Sequence, residues 1–92
     1  MNFTWHEAKR KANLKKHGLD FADAEKVFAG PMAVFEDARE AYGEQRSIGI
    51  GPLDCLMVLI VHVESEETIR IISMRKATSD ETNLFYQTYG IL

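Results

Sequence analysis

The chain has 92 residues, enough for one hydrophobic core in one domain, residues 1–92. At 46% hydrophobic and 27% charged residues it lies in the ordinary globular range, which excludes a disordered chain; its longest apolar run, residues 56–61, is far too short to cross a bilayer. The formal net charge of −3 argues against a general nucleic-acid binder.

The first residues, MNFTWHEAKRK, have no apolar stretch after a basic start, unlike a signal peptide. Thr4-x-x-Glu7 matches a capping box, with Phe3 positioned to staple onto Ala8, so a helix is expected to start there and to end at Gly18 after Lys15, Lys16 and His17. Its apolar stripe (Trp5, Ala8, Ala12) is weak. Asp20 suits the N-cap of a second helix, in which Phe21, Ala24, Val27 and Phe28 recur at helical spacing until Gly30-Pro31 stops it.

Strand patterns follow. Residues 32–36 and 45–50 are short candidates, and Gly51-Pro52-Leu53-Asp54 has turn composition. Residues 56–63 form a continuous apolar run and should be a central strand covered on both faces. Cys55, alone and beside that run, is expected to be a small core residue, compatible with a reducing cytoplasmic setting. Residues 64–67 make an acidic turn, and 68–74, with Ile69, Ile71 and Ile72, a fourth strand. Thr78-Ser79-Asp80-Glu81 is another capping box, opening a last helix through Leu84, Phe85, Tyr86 and Tyr89 to Gly90. The expected fold is α+β: two N-terminal helices, a four-stranded antiparallel sheet and a C-terminal helix.

Charge is unevenly spread. Lys9, Arg10, Lys11, Lys15 and Lys16 crowd the first helix, and Arg70, Arg75 and Lys76 the last strand, while acids gather at 36–44 and 64–67. Lys9, Asn13 and Lys16 share one helical stripe, with Arg10 and His17 beside it. Such a patch suits a phosphate backbone, with His17 able to move protons near neutral pH; equally it suits a solvated helix face. Strand alternation puts Arg75 with Ile69, Ile71 and Ser73, and Arg70 on the other face with Ile72 and Met74. Arg75 is then either a site residue or one half of an ion pair with Glu44 or Asp37. Glu44 and Arg46, two apart, point the same way as an ion pair or as the lining of a site. His6, His17 and His62 are scattered, and no metal-ligand spacing or nucleophilic triad is present in the sequence.

The residues resemble a known family in combination. Phe3-x-Trp5, Lys9, Asn13, Lys16-His17-Gly18 and Phe21 are similar to the opening of the BrnT toxins. Asp37, Gly43-Glu44-x-Arg46 and Gly49 are similar to the middle, and Ile69-Arg70-Ile71-Ile72-Ser73-x-Arg75-Lys76-Ala77 with Glu81 and Tyr86 to the close. His6, Val63 and Thr82 depart from the pattern: an acidic residue, a threonine and an arginine are common at those positions. The resemblance implies a RelE-like toxin fold and a ribonuclease that needs no cofactor or metal and blocks translation. It also implies a cognate ribbon-helix-helix antitoxin as partner, with promoter DNA contacted only through that antitoxin and no membrane partner. On this reading Arg75 and Arg46, with Arg70, stabilise transition-state charge. His17 or Glu44 acts as base, Tyr86 or His17 as acid, and Lys9, Arg10, Lys16 and Lys76 hold RNA. The rival reading is a non-catalytic module that captures the antitoxin and tunes promoter repression. A domain contacting DNA directly would need a recognition helix, and none stands out before Gly30.

Overall fold

A computed structural model of the chain describes residues 1–38 and 43–90; of the acid-rich stretch 36–44, positions 39–42 fall outside the described residues. Strand β1 (Asn2–Thr4) precedes helix α1 (Glu7–His17), a 3-10 turn (Phe21–Asp23) and short helix α2 (Ala24–Phe28). Strands β2 (Ala33–Asp37), β3 (Arg46–Leu53), β4 (Leu56–Glu64) and β5 (Thr68–Lys76) follow, then helix α3 (Ser79–Thr88).

The expected antiparallel meander is present from β2 to β5, but the sheet has five strands in the order β1-β5-β4-β3-β2 and is mixed. The fifth is β1, which lies parallel to β5 with Phe3 opposite Ile69. This corrects the reading of Thr4 as a helix cap: Thr4 ends a strand, and the N-cap of α1 is His6, whose side chain makes no capping bond. Phe3 likewise leaves Ala8 and meets the Phe28 ring edge-on, at 5.4 Å between centroids. Strand β1 gains main-chain pairing with β5 together with the half-buried Phe3 ring, where a cap bond contributes about 1 kcal/mol.

The other local signals hold more closely. Gly18 closes α1 with φ +70, donating its N–H to the Leu14 carbonyl. Asp20 accepts from the Ala22 N–H, although the first turn is 3-10 and α2 proper begins at Ala24. Thr78 and Glu81 form the full capping box of α3. The turn expected at 51–54 is shorter: β3 continues to Leu53, Leu53 pairs with Leu56, and Asp54 takes the left-handed conformation at φ +53. Cys55 therefore sits at the tip of a two-residue hairpin and is exposed, not in the core.

Side chains alternate along β4. Val58 and Ile60 join Phe21, Ala24 and Val27 in one apolar cluster; Leu59 and Val61 join Ala33, Ile50 and Phe85 in the other. The first layer of cover comes from the 3-10 turn and α2, the second from α3. Helix α1 lies beside β5, and its one buried residue is Asn13, which explains the weak apolar stripe. The Asn13 amide donates to the carbonyls of Leu19 (3.0 Å) and Met74 (2.8 Å), and its oxygen accepts from the Met74 N–H (3.1 Å). It thus satisfies both main-chain groups of a β5 residue beyond the end of β1, as a neighbouring strand would.

Candidate active site

One irregularity in β5 organises the site. Val61 of β4 pairs with Ser73, but the next residue, His62, pairs with Ile71, so Ile72 is the extra residue of a β-bulge. Cross-strand partners share a face. Before the bulge Arg70 lies opposite Val63; after it Ser73 lies opposite Val61 and Arg75 opposite Leu59. Arg70, Ser73 and Arg75 therefore share the α3 face, while Ile69, Ile71 and Met74 point into the cluster under α2. Strict alternation had separated Arg75 from Arg70 and joined it to Ile69 and Ile71. The bulge removes that separation.

Strand β3 adds to the same face. Ile48 lies opposite Val61, so Arg46, two residues before it, points the same way. Glu44 then lies between arginines from two strands: Arg70 Nη2 donates to both its carboxylate oxygens at 2.7 and 2.6 Å, and Arg46 Nε lies 3.7 Å from Oε1. Of the two readings of Glu44 and Arg46, the ion pair is present, and it extends to Arg70.

Arg75 stands nearer α3, and among the described residues the carboxylate it forks onto is Glu81, not Glu44 or Asp37. Nη1 and Nη2 each donate to one Glu81 oxygen at 2.8 Å, a bidentate fork that fixes the guanidinium plane. This guanidinium, with the Thr78 cap, holds the Glu81 carboxyl down at about 2. Tyr86, one turn further along α3, is half-buried against the second apolar cluster, its ring 5.5 Å from that of Phe85. The hydroxyl of Tyr89 pins the helix end to the start of β2 by accepting from the Met32 N–H (2.7 Å) and donating to the Met32 carbonyl (3.0 Å).

On the β5 edge, α1 supplies a third wall. Lys9, Ala12, Lys16 and His17, with Asn13 below, border an open, shallow cleft of about 240 Å³ that Ile72 and Ser73 also line. The bulge thus brings the β5 arginines and the cationic stripe of α1 to adjoining surfaces. Two expected RNA contacts stand apart. Arg10 turns toward Asp20, donating from Nε and Nη2 at 2.8 and 2.9 Å, and to Glu7 at 2.8 Å; these bonds raise its pKa and lower that of Asp20. Lys76 pairs in register with Val58, on the α2 side of the sheet. Another cavity of about 300 Å³, between β1 and α2, is lined mainly by the apolar side chains of Met1, Phe3, Phe28 and Ile69, with Glu25 as its charged side chain.

The place of Ser73 on the arginine face and the anchoring role of Asn13 emerge only from the structure. A polar residue interrupting an isoleucine run was the available signal for Ser73. Among the described residues no three His, Cys, Asp or Glu side chains gather as a metal site, and no helix is long and apolar enough to cross a membrane.

Residues 5–81 match the family described as the ribonuclease toxin BrnT of type II toxin-antitoxin systems. No curated protein matches the chain. Among solved structures, a crystal structure of the Brucella abortus ribonuclease toxin BrnT is similar at 33% identity and a TM-score of 0.71, over 86% of this chain and 99% of that one.

Proposed function

Because the chain belongs to the BrnT family of ribonuclease toxins of type II toxin-antitoxin systems, we propose that it cleaves RNA without a metal ion and so inhibits translation in the cytoplasm, until a cognate antitoxin neutralises it. The antitoxin on this reading is a ribbon-helix-helix protein, and promoter DNA is contacted through it alone. The observation that carries the catalytic reading is the β5 bulge, which sets Arg70, Ser73 and Arg75 on one face beside Arg46 and Glu44.

Cleavage by the RNA's own 2′-hydroxyl needs three things: a base for that hydroxyl, positive charge at the pentacoordinate phosphorus, and an acid for the departing 5′-oxygen. Arg75 and Arg46 supply fixed positive charge, with Arg70 behind them. Glu81 sets the plane of Arg75 before substrate arrives, which removes part of the ordering cost. Glu44, already among the arginines, accepts the 2′-hydroxyl proton, or His17 does so from the α1 side; Tyr86 or His17 returns a proton to the leaving oxygen. Lys9 and Lys16 hold the flanking phosphates. Arg10 and Lys76 contribute less, since one is tied to Asp20 and Glu7 and the other faces away.

The cellular test is direct. Induced alone in a bacterium, the chain should arrest growth and lower amino-acid incorporation, and co-expressed antitoxin should restore both. Normal growth with abundant folded protein contradicts the proposal.

A further inference from the structure

We propose that the cleft between α1 and β5 is a pocket for one unstacked nucleobase of the RNA, with the attached phosphate held at its rim by Lys9 and Lys16. This inference rests on the ribonuclease reading for its choice of polymer, but its test does not depend on cleavage.

The shape comes from the helix. Lys9 and Lys16 are seven residues apart, two turns or about 10 Å along the axis. Between them the exposed residue that lines the cleft is Ala12, and Asn13 is turned inward to bond Met74 and Leu19. The short Ala12 side chain leaves a gap between two long cationic ones. Below the gap lie Ile72, the extra residue of the bulge, and Ser73. At about 240 Å³ the cleft is smaller than the ~300–1,000 Å³ of sites for drug-sized ligands, and suits a single nucleotide.

The lining has the chemistry of a nucleotide in the right order. Ile72 and Ala12 offer apolar surface to the two-dimensional face of a base, and the His17 imidazole is a ring on which a base can stack. The Ser73 hydroxyl is a donor and acceptor for a base edge. The ammonium groups at the rim match the phosphate. Only an unstacked base can lay its face on Ile72 and Ala12, so the cleft favours single-stranded or splayed RNA. A plain electrostatic patch would have no use for the apolar lining or for alanine between the lysines.

The test is a titration of the isotope-labelled protein, followed by amide NMR, with the four nucleoside 5′-monophosphates and with ribose 5-phosphate, which lacks the base. None has a scissile bond. At least one nucleotide should saturably shift the amides of Ala12 and Ser73 and bind about tenfold or more tightly than ribose 5-phosphate, the discrimination expected of one stacked base. Ala12→Leu fills the gap without changing charge, at an exposed position, with a good helix former. It should reduce nucleotide binding to the level of ribose 5-phosphate, and Ala12→Met serves if the leucine variant does not fold. Equal binding of nucleotide and ribose 5-phosphate, or nucleotide binding unchanged in the filled variant, overturns the pocket. A protein that binds nucleotides in the cleft yet cleaves no RNA keeps the pocket and loses the ribonuclease reading; cleavage without a nucleotide preference does the reverse.

Discussion

Asn13→Ala should be the most damaging change on α1, although the position lies on a polar helical stripe. The variant leaves three main-chain groups without their partner: the Met74 N–H, the Met74 carbonyl and the Leu19 carbonyl. An unsatisfied buried group costs about 1–3 kcal/mol, and water entering from the cleft relieves part of it, so a total of about 3 kcal/mol is expected. A domain of this length has a stability of about 5–14 kcal/mol at typical values per residue. The loss is therefore a large fraction of the whole. At about 4–8 °C per kcal/mol, the melting temperature should fall by about 12–24 °C in a calorimetric or circular-dichroism scan. Asn13→Asp should fare no better, because its second oxygen would face two carbonyls with nothing to donate. A fall of less than about 4 °C for Asn13→Ala, equivalent to under about 1 kcal/mol, would refute the reasoning.

The Arg75–Glu81 fork gives a pH signature. Glu81 is lowered from 4.5 to about 2, so its stabilisation is complete above the unfolded value and is lost as pH falls through the folded one. The gap in melting temperature between wild type and Glu81→Gln should accordingly shrink between pH 6 and pH 2; a constant gap would contradict the pairing. Gly51→Ala should destabilise more than Gly49→Ala in urea unfolding, because a Cβ at 51 meets the rigid Pro31 carbonyl at 2.9 Å whereas one at 49 meets the movable end of Met32. The reverse order would contradict the packing. His17→Gln should stay folded and lose both RNA cleavage and its pH dependence near neutrality if the imidazole moves protons; a slightly lower melting temperature with cleavage intact would leave His17 a helix-end residue.

Much of the fold was legible because it is written in local signals. The Gly18 and Thr78 caps, the Gly30-Pro31 stop and the apolar run of β4 each depend on a few adjacent residues. The misses share a different cause: they depend on partners distant in sequence. Strand β1 has three residues and exists because β5 offers an edge and Phe28 a ring. Asn13 is polar yet buried because Met74, 61 residues away, lacks a neighbouring strand there. The β5 bulge leaves no sequence mark that alternation can detect, yet it decides which arginines share a face. For the candidate site, the residue types were readable and their grouping was not. Arg46, Glu44 and Arg70 do gather, Arg75 shares their face of the sheet by way of the bulge, and Arg10 goes elsewhere.

The most direct measurement is RNA cleavage by the purified, antitoxin-free protein in the presence of a chelator, with Arg75→Ala alongside. Single-stranded RNA should be cut to products ending in a 2′,3′-cyclic phosphate, with Arg75→Ala folded and slower by about 10²-fold or more, the scale of losing one preorganised donor. A 2′-deoxy substitution at the cut site should block the reaction. No cleavage by the folded wild-type chain, with tight antitoxin binding retained, would contradict the account and leave a module that only captures its partner; cleavage undiminished in Arg75→Ala would place the reacting phosphate somewhere other than the bulged face of β5.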